Sequence, residues 1–339
     1  MQPIHSSLPL EADKWTILKG AATETHTFYL FTPDNKFIFC QLAYAKISFI
    51  KNVQVTFSVI SGKDHAFITS TCSSGSFKTS NEDLNARCDN MEIERSPDNG
   101  FRIKLFPKSG ASGELNFASS TTGWKVGAEQ PNVKHSFYIP CQVTGSLTIP
   151  KLGSSPIEVS GSGSYGHATL SSNPYSVFSI SHFVLFNSER IKTINLTFKP
   201  LHKDTDSLVV QSFTFVDGKL YLASDTGNVT FSSSHNDSEV DLIVPDAIVV
   251  NFEGPALEEG TPNGKTANAL LKVDNLAVID RFDVLESIPY MLRKIVQAFI
   301  TKPYIYQFYL PGHLTITVSD HASEPLEAEG QVYYELSYL

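Results

Sequence analysis

The stretch Val53-Gln-Val-Thr-Phe-Ser-Val59 alternates apolar and polar side chains. Because successive side chains of a β-strand point to opposite faces, this alternation predicts a strand with one buried and one solvent-facing side. The same period of two returns in both halves of the chain, over Phe101–Leu105, Val143–Ile149, Ile194–Phe198 and Leu314–Val318. The repetition predicts an all-β protein, since a helical period would mix apolar and polar residues on each strand face.

The strand predicted over Thr193–Phe198, in the second half of the chain, shows which residues are expected on each face. Three polar residues alternate with three apolar ones, in the order Thr193, Ile194, Asn195, Leu196, Thr197 and Phe198. The pattern predicts that the apolar side chains lie in the core and that the polar ones face solvent.

Other segments favour closed sheets with tight turns. Lys36–Lys46 is apolar on both faces, which is typical of a strand covered on both sides. Asp217-Gly218 lies between two alternating runs and predicts a hairpin, and Pro33-Asp-Asn35 predicts another turn. Many short strands joined by tight turns predict a sandwich or a barrel.

One segment departs from the strand pattern. Between residues 283 and 300, apolar side chains recur at spacings of three and four, at Leu285, Ile288, Leu292, Ile295 and Phe299. This spacing predicts a single amphipathic helix of about four turns near the C-terminus, ending before Pro303.

Composition limits the class of protein. The 339 residues are 41% hydrophobic and 18% charged, and the net charge of −9 argues against nucleic acid as a partner. No secretory signal and no apolar run of membrane-spanning length is present, so we expect a soluble intracellular protein. The four cysteines are scattered, and we therefore expect reduced thiols.

At about 150 residues per domain, the length predicts two domains. The stretch richest in Gly and Ser, residues 153–166, lies near the middle of the chain and is interpreted as the boundary. The predicted organisation is a short N-terminal tail over 1–14, a first domain over 15–163 and a second domain over 164–339.

Motifs for catalysis or metal binding are weak. Gly161-Ser-Gly-Ser-Tyr-Gly166 matches the dinucleotide-binding pattern, but no helix start follows it. We find no nucleophile elbow and no zinc-binding His-Glu-x-x-His, and His235–Glu239 is typical of a solvated loop. We therefore expect no cofactor, no metal and no enzymatic activity.

Aromatic residues are abundant, with 23 Phe and 13 Tyr. Core packing accounts for most of them, but a barrel of about eight strands can also hold an apolar ligand. Each methylene removed from water contributes ~0.8 kcal/mol, so a 16-carbon chain brings on the order of 12 kcal/mol. A lipid carrier would need few polar signature residues, in agreement with this sequence.

Several runs, in this order, resemble the fungal survival factor family, whose lipocalin-like members are implicated in oxidative-stress survival and in ceramide binding and transport. They are Thr27–Thr32, Gln41–Tyr44, His135–Gly145 and Arg281–Pro289 continuing to Gln307. The resemblance extends from about Trp15 to the C-terminus. It implies two tandem lipocalin-like antiparallel β-barrels and a non-enzymatic protein that binds or transports ceramide or another sphingolipid.

The resemblance also suggests where such a ligand would lie. Candidate lumen contacts are aromatic and histidine side chains on predicted strands, namely Phe137, Tyr138, His167, Tyr304, Tyr306 and Phe308. We expect a protein of the cytoplasm, with the nucleus as a second compartment.

Two departures from the family pattern stand out. Members carry an N-terminal amphipathic helix that contacts ER and Golgi membranes, whereas only fourteen residues precede Trp15 here, so we expect at most peripheral membrane contact. An Arg-Trp pair of the family is replaced by Ile180–Phe183. The chain is interpreted as a shortened, divergent paralogue.

Two alternatives stay open. Related tandem lipocalin-like folds include carotenoid hydratases, for which His135 and His167 would be the first acid–base candidates. The other alternative is an interaction scaffold with filled barrels, docking partners through the face of the 285–299 helix.

Overall fold

The computed structural model describes residues 5–16, 23–47, 50–62, 64–97, 99–119, 123–127, 133–170, 178–201, 208–258, 260–283, 303–319 and 324–338. Two compact units are present. The first comprises residues 6–125 and 129–174, and the second comprises residues 1–5, 126–128 and 175–339. Each unit is built on one large antiparallel sheet, so the prediction of an all-β protein with two lipocalin-like barrels is confirmed.

The strands in chain order are β1 His5–Ser7, β2 Thr23–Phe31, β3 Lys36–Ile47, β4 Ile50–Ser61, β5 Asp64–Cys72, β6 Lys78–Ser80, β7 Asn85–Arg87, β8 Met91–Arg95, β9 Phe101–Leu105, β10 Ser112–Ser119, β11 Trp124–Val126, β12 Val133–Thr148, β13 Ile157–Leu170, β14 Phe178–Asn187, β15 Ile191–Pro200, β16 Val209–Val216, β17 Lys219–Ser224, β18 Thr226–Asp237, β19 Leu242–Glu258, β20 Thr261–Val273, β21 Asp280–Asp283, β22 Tyr304–Val318 and β23 Leu326–Tyr338. Short 3₁₀ helices cover Leu10–Asp13 and Pro107–Ser109.

The first barrel has the strand order β5-β4-β3-β2-β13-β12-β10-β9-β8-β7-β6. Its first long strand, β2, pairs with its last, β13, which curls the sheet back on itself. The alternation predicted for Val53–Val59 is confirmed, because Val53, Val55, Phe57 and Val59 are all fully buried on β4. At the free edge of β5, side chains of Ser70 and Cys72 reach the segment between β7 and β8.

An additional pairing closes the second barrel into a ring. Its strands follow the order β17-β16-β15-β14-β23-β22-β20-β19-β18, and β17 also pairs with β19 through Leu222 and Ala256. The predicted hairpin at Asp217-Gly218 joins β16 to β17, and both residues adopt the positive φ that such a turn requires, 49° and 78°.

The predicted division after residue 163 falls inside a central strand. The glycine-rich stretch forms most of β13, which pairs with both β12 and β2, and the two units divide after residue 174. Glycine is required there for close strand packing, since a Cβ on Gly161 would lie 2.1 Å from the carbonyl oxygen of Phe31. The Gly-rich composition, which is typical of linkers, here permits close backbone approach within the sheet.

The prediction for β15 was wrong on one face. Ile194, Leu196 and Phe198 are buried as predicted, but the alternating residues Thr193, Asn195 and Thr197 are buried as well. The polar face points into the barrel, where cross-strand hydrogen bonds satisfy its side chains. Alternation identifies which residues share a face, but it does not show that the polar face is the wet one.

The amphipathic helix predicted over 283–300 lies outside the described residues, apart from Asp283 at the end of β21. Among the residues described, no helix is long and apolar enough to span a bilayer.

Candidate ligand-binding sites inside the two barrels

The first barrel receives its N-terminal segment, residues 10–16. Asp13 and Trp15 are both fully buried, and the Trp15 ring stacks on His26 with ring centroids 4.0 Å apart. Phe77 meets the same indole edge-on at 5.1 Å. The predicted N-terminal tail over 1–14 includes Asp13, which is buried in the barrel next to Trp15, the first residue of the predicted first domain.

Asp13 is held by two partners inside the barrel. Both of its carboxylate oxygens accept from the Tyr138 hydroxyl at 2.7 Å, and Arg95 lies 3.3 Å away. The Arg95 guanidinium also stacks over Phe101, 4.5 Å from the ring centroid. Burial raises the pKa of Asp13, and the Arg95 charge and the Tyr138 hydrogen bond offset part of that rise.

Glu24 and His167 form a second buried pair. His167 Nε2 lies 2.7 Å from Glu24 Oε1, and the other carboxylate oxygen accepts the backbone N–H of Thr16 at 2.8 Å. His167 Nδ1 faces the Ala12 carbonyl at 2.9 Å, and a carbonyl only accepts. Burial favours a neutral Glu24, yet the hydrogen bond with His167 and the proximity of His26 outweigh it and lower the pKa of Glu24 to about 2. His167 thus donates from both nitrogens, as an imidazolium does.

His26 completes the group. Its Nδ1 is 2.6 Å from the Tyr165 hydroxyl. Burial, and to a smaller extent the neighbouring His167 charge, lower the pKa of His26 to about 3, so this ring is neutral. Its Nε2, 3.9 Å from Glu24, has no hydrogen-bond partner. We call these residues the charged cluster: Asp13, Glu24, His26, Arg95, Tyr138, Tyr165 and His167.

Three members of the charged cluster could be considered for a metal. Atoms of Glu24, His26 and His167 lie within 4.8 Å of one another. However, the 2.7 Å between Glu24 and His167 suits a shared proton, because two ligands of one tetrahedral zinc ion lie about 3.3 Å apart. The two imidazole rings are also stacked at 4.2 Å and 29°, so their in-plane lone pairs do not converge. The geometry fits an ion pair better than a metal centre.

The second barrel has a different interior. Five buried hydroxyl and amide side chains line β15 and β16, and we call them the polar strip: Thr193, Asn195, Thr197, Ser212 and Thr214. They are linked by hydrogen bonds from Asn195 to Ser212 at 2.7 Å, from Thr197 to Asn195 at 3.1 Å and between Thr193 and Thr214 at 3.0 Å. This network carries no charge.

Apolar residues form the opposite part of this interior. In the ring of strands, β20 lies four positions away from β15, and β22 lies four positions away from β16. Their inward residues, all fully buried, are Ala267, Ala269, Leu271, Leu314 and Ile316. The lumen is therefore amphiphilic, with an uncharged polar strip across from an aliphatic wall.

A histidine–tyrosine pair recurs in both barrels. In the first barrel, Tyr165 pairs with Phe28, which follows His26 by two residues. In the second barrel, Tyr334 pairs with Val184, which follows His182 by two residues. The ring nitrogen to hydroxyl distance is 2.6 Å in the first barrel and 2.9 Å in the second. By register, Glu24 of the first barrel corresponds to Ile180 of the second, Tyr138 to Phe308 and His167 to Leu336. The second barrel therefore retains the histidine–tyrosine pair without the surrounding charges.

The residues proposed from sequence fall in three places. Tyr138 and His167 lie in the first barrel, and Tyr306 and Phe308 lie in the core of the second. Tyr304 is half-buried on the same face of β22, beside Arg281. Phe137 points to the opposite face of β12 from Tyr138, and so does His135. No single site joins all six candidates.

Sequence reasoning missed the charged cluster and the polar strip. Glu24 and His26 share a face of β2 with the apolar residues Phe28 and Leu30, so ionisable groups on a buried face are a readable signal. Asp13 and Arg95 give none, because each stands among other charged residues, as surface charges commonly do. The polar strip was misassigned to solvent, for the reason given for β15.

The buried His182 makes the second barrel sensitive to acid. Burial lowers the pKa of His182 from its ordinary 6.5 to about 4. As the pH falls, the unfolded chain therefore binds a proton at His182 before the folded chain does. The contribution of neutral His182 to stability is complete above pH 6.5 and is lost as the pH falls towards 4. We expect a loss of about 3 kcal/mol from this group.

Urea unfolding followed by far-UV circular dichroism at about pH 7.5 and about pH 4.5 measures the effect. His182→Gln retains a partner for Tyr334 and cannot titrate, so its stability should fall less with acid than that of the wild type. His313→Gln, at an exposed position of the same barrel, is the matched control. Equal acid sensitivity of the wild type and His182→Gln would contradict the prediction.

Comparison with known proteins places this fold in a family. The family model described as Svf1 family matches residues 2–339. A ceramide-binding protein svf-1 of Neurospora crassa is 23% identical, covering 96% of this chain and 88% of the relative. A ceramide-binding protein SVF1 of Yarrowia lipolytica is 24% identical, covering 99% and 90%.

Solved structures share the architecture. A putative AttH of Nitrosomonas europaea superposes with a TM-score of 0.60 at 12% identity, covering 98% of both chains. Kievitone hydratase of Nectria haematococca gives 0.58 at 12% identity, covering 99% of this chain and 93% of its own. At such identities the structures establish the tandem lipocalin-like fold alone. The family match over almost the whole chain establishes the rest: the protein belongs to the Svf1 family.

Proposed function

We propose that this protein is a non-enzymatic carrier of a ceramide-like lipid, held in the lumen of the second barrel. The observation that carries the proposal is the amphiphilic interior, in which an uncharged polar strip faces aliphatic residues of β20 and β22. Two relatives that cover nearly the whole chain are named as ceramide-binding proteins, which supports the same ligand class.

The chemistry of the polar strip matches that of the ligand class. A ceramide headgroup is uncharged and carries hydroxyl and amide groups, which both donate and accept hydrogen bonds. Hydroxyl and amide side chains offer the same two functions, whereas the buried ions of the first barrel would leave a neutral headgroup with mismatched partners. The hydrocarbon chains provide the affinity, at ~0.8 kcal/mol per methylene removed from water.

Asn195→Leu tests the proposal directly. Leucine has the same branching as asparagine and removes both amide functions at the centre of the polar strip. The Ser212 and Thr197 hydroxyls lose their partner, so the substitution also lowers the stability of the second barrel by about 1–3 kcal/mol. We expect ceramide affinity to fall about tenfold or more, which corresponds to the loss of one or two hydrogen bonds, at a temperature where circular dichroism shows that the variant is folded.

Titration with a fluorescent ceramide, and native mass spectrometry after incubation with unlabelled ceramide, provide the measurements. Asn268→Leu is the matched control, because Asn268 pairs with Asn251 on the outer face of the same barrel, at 2.9 Å. Equal loss in both variants, or no ceramide binding by the folded wild type, would overturn the proposal.

The wider role is part of the same proposal. We propose that lipid sequestration by this protein supports survival under oxidative stress, from a cytoplasmic and nuclear location with at most peripheral membrane contact. A deletion strain complemented by the wild type but not by Asn195→Leu, under peroxide exposure, would support this role. Full complementation by a variant that binds no ceramide would separate stress survival from lipid binding.

The Glu24–His167 pair favours a second candidate, acid–base catalysis of the hydratase type. A carboxylate beside an imidazolium is a suitable proton donor and acceptor pair. Against it, both ring nitrogens of His167 already have protein partners, and His135 lies on the other face of its strand. Addition of one water to an alkene-bearing lipid, abolished in Glu24→Gln, would support this candidate over a simple carrier.

A further inference from the structure

The first barrel is joined along one edge by side chains. No backbone pairing is described between β5 and the segment that links β7 to β8. Instead, Asn90 donates to the Ser70 hydroxyl at 2.9 Å, and the backbone N–H of Ser73 donates to Asp89 at 3.2 Å. Between these contacts, Cys72 Sγ and Cys88 Sγ lie 3.2 Å apart. We call this set of contacts the seam.

We propose that Cys72 and Cys88 are a peroxide-oxidisable thiol pair, whose disulfide locks the seam of the first barrel covalently. Both thiols are free and buried, and each comes from a different side of the seam. A disulfide has an S–S bond of about 2.05 Å, so the two sulfurs need to approach by only about 1.2 Å, within reach of small side-chain rotations.

The two thiols differ in reactivity. Cys88 Sγ accepts a hydrogen bond from the Cys72 thiol and faces the backbone N–H groups of Asn90 and Met91, and these contacts lower the pKa of Cys88 against the effect of burial. The same hydrogen bond and burial raise the pKa of Cys72. Since the thiolate is the nucleophile, Cys88 reacts first and Cys72 resolves the product.

The chemistry balances with a hydroperoxide as the oxidant. The Cys88 thiolate attacks one peroxide oxygen and breaks the O–O bond, which gives Cys88 sulfenic acid and, after protonation, one water. Cys72 then attacks the sulfenic sulfur, forms the S–S bond and releases a second water. The two thiols lose two electrons and two protons, and one hydrogen peroxide becomes two waters.

The chain provides internal controls for selectivity. Cys40 and Cys141 are also buried, but each lacks a thiol neighbour, and burial raises the pKa of both to about 12. A buried thiol whose pKa is raised and that has no thiol partner is inert. We therefore expect peroxide to oxidise one pair and to leave Cys40 and Cys141 as thiols.

Differential alkylation with peptide mass spectrometry tests the proposal on the full chain. After treatment of the reduced protein with hydrogen peroxide, the number of free thiols should fall from four to two, with a Cys72–Cys88 cross-linked peptide that dithiothreitol reverses. The disulfide closes a loop of about 16 residues, so the unfolding midpoint of the first barrel should rise by about 5 °C or more. Both tryptophans belong to this unit, and their fluorescence follows its unfolding.

Two single variants separate the roles of the thiols. Cys72→Ser should accumulate Cys88 sulfenic acid, trapped by dimedone, whereas Cys88→Ser should leave Cys72 unreacted. Tryptophan fluorescence of each reduced variant checks that it is folded. The proposal is overturned if all four thiols survive peroxide that oxidises glutathione fully, or if Cys72 and Cys88 react no faster than Cys40 and Cys141.

Discussion

Replacing Arg95 with leucine should lower the free energy of unfolding of the first barrel by about 3–5 kcal/mol, because it leaves the Asp13 carboxylate buried without its cation. The side chain of Asp13 is fully inaccessible and that of Arg95 is 5% exposed, so water does not replace the lost partner. The change also removes the stacking of the guanidinium on Phe101. Urea unfolding followed by tryptophan fluorescence measures this loss.

A compensating substitution identifies the cause of that loss. Asp13→Asn in the Arg95→Leu background removes the uncompensated charge and retains an oxygen for the Tyr138 hydroxyl. The double variant should therefore recover a substantial part of the stability. Arg87→Leu, which removes an exposed ion pair with Glu92, is the control and should change stability by less than about 1 kcal/mol. A double variant as unstable as Arg95→Leu would show that lost packing, and not the charge, dominates.

Trp15→Ala should destabilise the first barrel by about 3–5 kcal/mol, the range for removal of a large buried aromatic side chain. Trp15 is fully buried against His26 and Phe77, and it holds residues 10–16 over the charged cluster. Losing it opens a cavity and also weakens the contacts of Asp13 and of the Ala12 carbonyl.

Far-UV circular dichroism is the suitable probe for this variant, because the substitution removes one of the two fluorophores. Trp124→Ala is the matched control, since Trp124 is only half-buried in the same unit and should cost distinctly less. If the two tryptophan variants lose the same stability, residues 10–16 do not anchor the barrel as the structure indicates.

Much of the fold was readable from local pattern. The alternation of Val53–Val59 and the Asp217-Gly218 turn each predicted an element that the structure contains, because strand faces and turn conformations depend on near neighbours. The order of short motifs from Trp15 onward indicated the family that the comparisons establish. Local pattern was misleading at Gly161 and Gly163, where a composition typical of linkers occurs in a central strand.

The candidate sites depended on contacts that the linear sequence does not display. Tyr138 and His167 were chosen as lumen residues, but their partners Asp13 and Glu24 are 125 and 143 residues away. Such pairs are set by strand register and by curling of the sheet. Cys72 and Cys88 become neighbours at the seam for the same reason, because the two sides of the seam meet only once the sheet curls into a barrel.

Period-two alternation by itself determined that this chain forms β-strands, where its hairpins turn, and which side chains share a face, because these properties are carried by residues next to one another. Only the tertiary structure decided which face of β15 looks inward, that Asp13 and Trp15 enter the first barrel, and that ionisable residues gather there, whereas the polar strip of the second barrel holds only uncharged side chains. The physical reason is closure: once a sheet joins its own ends, inside and outside depend on the whole ring of strands, and no single strand encodes that.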